Sequence, residues 1–301
     1  MLQYSVDNSI NLRKMRTIKF TPFSLLIISI LLSCNSQEFK KKEADNRLKN
    51  IEMLIKNNAF NEAKIQIDSI HLLYPMLVEK RRIAAALSDT ILRRESSRSL
   101  EYCDSILPIK IHEMDSIQKN FRFEKNPKYQ DIGNFVYKTE LTESNVNRTY
   151  LKTYVDENAD FYLISNYCGS KIEQQSIEVS AGDLFAHTDT ISLTDPTNHR
   201  FDDGGSHFES INFKNESGRS VFEFISQNNS KALKVTLQGT NKYVYFLSNV
   251  DRKAISETYH LWKVKRDVVQ LKKEIKKATQ RIARINNSKN LKNKTLNEKN
   301  N

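Results

Sequence analysis

Glycine and proline are scarce in this chain of 301 residues, at seven and five. So few glycines leave no Gly-rich loop to cradle a phosphate and no serine elbow between glycines. Cysteine is limited to Cys34, Cys103 and Cys168, and none forms a CxxC pair. Long hydrophobic runs are missing too. The apolar stretch from Phe23 to Leu32 is far below the roughly 20 residues that a permanent bilayer span requires.

Acidic residues are in deficit, and the deficit is local. The formal charge is +11, yet residues 252–301 hold 15 Lys and Arg against 4 Asp and Glu. Residues 34–251 hold 28 against 31. The basicity belongs to the C-terminal segment alone, so a nucleic-acid partner is not expected.

What is present begins at Met15-Arg16-Thr17-Ile18-Lys19, a short basic start before the apolar run. This is the layout of a secretory signal peptide over residues 1–33, with Met15 as its own complete beginning. The run ends in Leu31-Leu32-Ser33-Cys34, which resembles the lipobox of bacterial lipoproteins. That resemblance implies cleavage before Cys34 and lipidation of its thiol and new amino group. Several acyl chains on one residue anchor stably, because each buried CH₂ adds about 0.8 kcal/mol. Asn35 after the cysteine implies, by the same resemblance, an outer-membrane lipoprotein that faces the periplasm of a Gram-negative cell. The other two cysteines read as separate buried thiols, one on a helix and one at a strand end.

Residues 34–44 read as a polar tether and 45–121 as a helical arm. Leu48, Ile51 and Ile55, then Ala63, Ile67, Ile70 and Leu73, recur at helical spacing on either side of Asn57-Asn58. This pair resembles a single tetratricopeptide-type repeat, too little for a repeat array. Pro75 suits the first turn of a long third helix, with a kink or break expected at Pro108. Its second half carries Leu100, Cys103, Leu107, Met114, Ile117 and Phe121 as a seam, interrupted by Lys110. The matching seam is Leu261, Val264, Val268, Leu271, Ile275, Ala278, Ile282 and Ile285, alternating by three and four within a coiled-coil helix at 249–286. Antiparallel pairing within one chain is expected, because a homodimeric coiled coil would set lysine-rich faces against each other. Residues 287–301 read as a disordered basic tail.

Between the arms, residues 128–248 follow a period of two. Nine strands are expected: 134–140, 149–156, 161–167, 175–179, 184–187, 207–213, 220–225, 231–238 and 243–247. With no helix between them, and turns at Asn229-Ser230 and Gly239–Lys242, they predict an antiparallel β-sandwich or jelly-roll-like domain whose last three strands form a meander. The fold class is therefore α+β.

Candidate chemistry is thin. The segment Asp195–His207 offers His199, Asp202, Asp203 and His207 as weak metal ligands, but the spacing matches neither an EF-hand nor a zincin motif, and a long hydrophilic loop built for turn geometry is the reading preferred. His187-Thr188-Asp189 could pair a base with a carboxylate. Tyr150, Tyr154, Tyr162 and Tyr167 could form a row for stacking on sugar rings. Lys263, Lys265, Arg266, Lys272, Lys273, Lys276 and Lys277 could meet an anionic surface, and Trp262 reads as packing. No cofactor is expected. The order of lipobox, helical arm, β domain and closing helix resembles a class of Gram-negative envelope lipoproteins without an assigned activity. The expectation is a non-catalytic binding or scaffold lipoprotein with an envelope protein or polysaccharide as partner. Glycan binding by the β domain is the alternative, and hydrolysis of an envelope polymer a third.

Overall fold

The computed structural model describes the backbone of residues 22–140, 145 and 147–299, and side chains from residue 37 to 290 within those bounds. The chain forms two compact units that divide between Glu95 and Ser96. The fold is α+β, with every strand pairing antiparallel and neither sheet closing into a barrel.

Helices α1 (Pro22–Lys56) and α2 (Phe60–Leu73) and the start of α3 (Val78–Gln118) make the first unit. Its core gathers Ala44, Leu48, Ile51 and Ile55 with Phe60, Ala63, Ile67 and Ile70, and with Ala84 and Ile91 of α3. Asn58 turns the chain at φ 62°, a left-handed conformation that asparagine tolerates better than most side chains. Residues 34–44, expected as a polar tether, continue α1. Charged and polar residues without glycine or proline give such a stretch no reason to leave the helix. Pro75 falls in the turn before α3 rather than in its first turn. Residues 1–21 lie outside the described residues, as does the Cys34 side chain.

In the second unit α3 runs through Pro108 without ending. An interior proline costs a helix about 3 kcal/mol, and contacts beyond it offset that cost. Lys110 bonds Glu113 at 2.9 Å and reaches Asp267 at 3.5 Å, while Glu113 lies 3.6 Å from His260. Met114 and Ile117 pack with Leu261. These pairs run in opposite directions along the two helices, so α3 and α5 (Asn249–Lys299) pack antiparallel. The expected seam of α5 is buried or half-buried at all eight positions. Its described backbone stays helical to Lys299, through the segment expected to be a disordered tail.

Ten strands and one helix occupy the rest: β1 (Phe121–Glu124), β2 (Asn134–Tyr137), β3 (Tyr150–Asp156), β4 (Phe161–Gly169), β5 (Ser176–Ala181), β6 (Leu184–His187), β7 (Asn198–Asp203), β8 (Ser206–Lys214), α4 (Glu216–Gln227), β9 (Lys234–Gln238) and β10 (Lys242–Phe246). The first sheet has the order β1-β2-β3-β4-β8-β7 and the second β10-β9-β5-β6. Both feed one core. Leu151, Val155, Phe161, Leu163, Ile211 and Phe213 come from the first sheet, and Ile177, Val179, Val235 and Leu237 from the second. Phe222 of α4 and Trp262 of α5 complete it, their rings 4.5 and 5.0 Å from that of Phe161.

Three strand expectations are corrected. Residues 220–225, expected as a strand, lie in α4. Gly218, Val221, Phe222 and Ile225 are its buried face, a three-four-seven spacing that short apolar runs conceal. The expected meander is therefore a single β9–β10 hairpin. The long loop at 195–207 contains β7, which returns through Gly204-Gly205, both at positive φ, in a two-residue hairpin with Asp203 opposite Ser206. Phe121 starts β1 instead of closing the helical seam.

Candidate binding face

The joint between the two sheets is a carboxylate. Glu209 of β8 is 1% exposed and faces the connection from β4 to β5. It accepts the backbone N–H groups of Ile172, Glu173 and Gln174 at 2.9, 2.8 and 2.7 Å, while its own carbonyl accepts the Gln174 amide. Glu173 is thereby held at φ 53°. Gly239, before β10, crosses so near that a Cβ there would meet the Ile172 and Glu173 carbonyl oxygens at 2.3 Å. Glu209, the strap of residues 172–174 that it holds, and Gly239 together fix where the second sheet begins.

In antiparallel pairs, residues directly opposite share a face. On the second sheet Val179, Ile177, Val235 and Leu237 point into the core, so the alternate residues point out. The register then aligns Phe246, Lys234, Ser180 and Phe185 in one row across all four strands. The next row is Val244, Thr236, Glu178 and His187, and the third Lys242, Gln238 and Ser176. The two phenylalanines are 68% and 63% exposed and lie three strand spacings apart, about 14 Å. Between them runs a lane of hydrogen-bonding side chains, with Gln238 donating to Glu178 at 3.2 Å. A polar lane with an aromatic at each rim can hold an extended ligand. The aromatics offer apolar contact and the lane offers donors and acceptors.

The residues expected from sequence are distributed differently. Tyr150, Tyr154 and Tyr162 share the other face of the first sheet, where Tyr154 and Tyr162 stack with ring centroids 4.6 Å apart. Tyr167 points the opposite way and is buried, donating to the Ser170 carbonyl at 2.8 Å. Burial pushes the Tyr154 phenol up to about 12. These four do not form one exposed row.

The weak metal candidates divide in the same way. His199 and Asp203 face one side of β7, and Asp202, with His207 opposite it, faces the other. His207 spends both ring nitrogens on carboxylates, Asp202 at 2.7 Å and Glu209 at 3.2 Å. Among the described residues, no three His, Cys, Asp or Glu side chains gather as a metal ion requires. His187 contacts the Thr188 carbonyl at 3.2 Å, while the Asp189 backbone bonds Ser217, so the base-and-carboxylate reading has no geometry behind it.

On α5, Lys263, Arg266, Lys272, Lys273 and Lys276 are exposed, and Lys277 pairs with Glu274. Lys265 departs from the expectation. It is 7% exposed and lies 4.3 Å above the Phe135 ring, and burial holds its ammonium below the usual lysine range. Arg266 lies 4.4 Å from the Trp262 ring. Cys103 is buried and Cys168 half-buried, and both are free thiols.

One polar cluster had no sequence signal. Glu140 is 5% exposed, and one of its oxygens accepts the Thr153 N–H at 3.5 Å. The other has no partner among the described residues. Asp251, Arg148 and Tyr150 stand close by, with Arg148 ion-paired to Asp251. Desolvation raises the Glu140 carboxyl to about 8, with Asp251 adding to the rise while Lys152 and Arg148 oppose it.

Among the described residues no helix is long and apolar enough to cross a membrane. No protein-family model, curated protein or solved structure matches this chain.

Proposed function

We propose that the chain is a lipid-anchored cell-envelope protein, held at the outer membrane through Cys34 and facing the periplasm, whose β domain is a non-catalytic binding module. The outer face of the second sheet is its binding surface. The observation that carries this is the row Phe246–Lys234–Ser180–Phe185, which leaves two large aromatic rings in water at the ends of a polar lane. Two exposed aromatics framing a row of polar side chains supply both the apolar and the hydrogen-bonding contacts that a partner can use. The α5 seam is covered within the chain, which supports a monomer over a coiled-coil dimer. A hydrolase would need several of His187, Asp189, His199, Asp202, Asp203 and His207 in one cleft. Among the described residues, only Asp202 and His207 of the six are hydrogen-bonded to each other.

The test uses the mature chain with Cys34→Ser to capture components of a solubilised envelope. Retention of one protein or one polymer is expected. The double variant Phe185→Ala/Phe246→Ala should weaken it about tenfold or more, since truncating an anchoring aromatic costs ~1–2 kcal/mol or more. Unchanged capture by the double variant would move the binding surface elsewhere. A second reading, glycan binding, is favoured by the aromatic spacing, because a sugar chain laid along the row would stack at both ends. Retardation of the parent chain, but not the double variant, in gels cast with envelope polysaccharide would decide for it.

A further inference from the structure

The turn between α2 and α3 puts its apolar side chains outward. Leu72, Leu73, Met76 and Val78 are 78%, 54%, 87% and 71% exposed. The turn is nonetheless braced by its neighbours. Tyr74 is buried in the first unit's core, and its hydroxyl accepts from Arg47 at 3.2 Å. Arg81 donates to the Pro75 carbonyl, and Lys80 pairs with Asp45. Four large apolar groups on a braced turn cost solubility and add nothing to the core, which calls for a partner.

The same ties say where the turn lies. They set it beside Glu43, Asp45 and Arg47 of α1, nine to thirteen residues beyond Cys34 and so ~14–20 Å along the helix. Between Cys34 and that level, Phe39, Lys40, Lys41 and Lys42 are exposed. At the other end of the hairpin the turn is Lys56-Asn57-Asn58, which is exposed and polar. One end of the unit is thus apolar with a basic collar, and it is the end nearer the anchoring residue. Lysines beside inserted apolar side chains suit an interface with anionic headgroups.

We propose that Leu72–Val78 dips into the bilayer leaflet that carries the lipid on Cys34, giving the anchor a second, non-covalent foot. This rests on the lipoprotein reading. A lipid on one residue leaves the protein free to swing, whereas two contacts fix how the first unit stands on the membrane.

The experiment places a tryptophan at the turn by Met76→Trp, with Asn57→Trp as the far-end counterpart. Each protein, purified from the membranes of an expressing cell that lipidates its lipoproteins, is reconstituted into vesicles of phosphatidylethanolamine and phosphatidylglycerol, with or without brominated acyl chains. The parent chain, whose sole tryptophan is the buried Trp262, supplies the background. Residues that insert sit about 5–10 Å below the headgroup boundary, within reach of such bromines, so roughly half the added emission of Met76→Trp should be lost. Asn57→Trp should keep its emission. Equal emission of Met76→Trp in both kinds of vesicle, or quenching at both positions, overturns the proposal. Mass spectrometry of the same preparations reads the acyl groups on Cys34. Acyl mass present without quenching rejects the turn alone, and acyl mass absent rejects the anchor on which it rests.

Discussion

Glu209→Ala should cost about 3–5 kcal/mol of stability, read as a lower urea midpoint. The side chain is buried, and its two oxygens serve three backbone N–H groups and one imidazole. Alanine leaves those donors in a cavity that water fills poorly, and each orphaned buried donor costs ~1–3 kcal/mol. The total is smaller than their sum because the strap can relax. Glu209→Gln should recover part of the loss, since its oxygen still accepts while its NH₂ faces donors. Equal stability of parent and alanine variant would mean that the strap is held by something other than this carboxylate. Because the strap leads directly into β5, the alanine variant should also loosen the row from Phe246 to Phe185.

Raising the pH should destabilise the protein through Glu140. Its folded carboxyl titrates near 8, against an ordinary value of 4.5, so between these values the folded state holds a proton that the unfolded state has released. Stability from this group is complete below about pH 4.5 and is lost as pH rises through about 8. Glu140→Gln keeps the shape without the charge. It should match the parent near pH 4.5 and exceed it by about 5 kcal/mol near pH 9, because each tenfold difference in proton affinity between folded and unfolded states is worth about 1.36 kcal/mol. Urea melts at the two pH values make the comparison. A parallel pH dependence in both proteins would show that Glu140 is ionised and solvated when folded.

The helical parts were legible because their pattern is redundant. Eight positions of α5 repeat by three and four, and no strand could satisfy that spacing. Strands β3, β4, β5 and β8 were legible for the matching reason, their alternation between core and surface. Residues 220–225 misled because Val-Phe-Glu-Phe-Ile is apolar on both periods, and Gly218, which allows α4 to lie on Phe213 and Leu163, is a tertiary requirement. The pair Gly204-Gly205 was a usable hairpin signal, hidden by the polarity of β7. The proposed binding face was not legible at all. Phe185 and Phe246 are 61 residues apart in the chain, and only strand order and register align them. Nothing in the sequence marks Glu140 or Glu209 as buried.

The core of the second unit includes Phe161, Phe222 and Trp262, and Arg148 pairs with Asp251 across 103 positions of chain. A polypeptide made from its N-terminus therefore cannot finish this unit until α5 has emerged. Contacts so distant in sequence form slowly, and until then the Phe161 and Phe222 rings and the open sheet surfaces face water. A truncation before Leu261 should yield an aggregation-prone fragment rather than a smaller version of the domain. Under the envelope location proposed above, late completion would keep the chain in a form that can be threaded through a membrane.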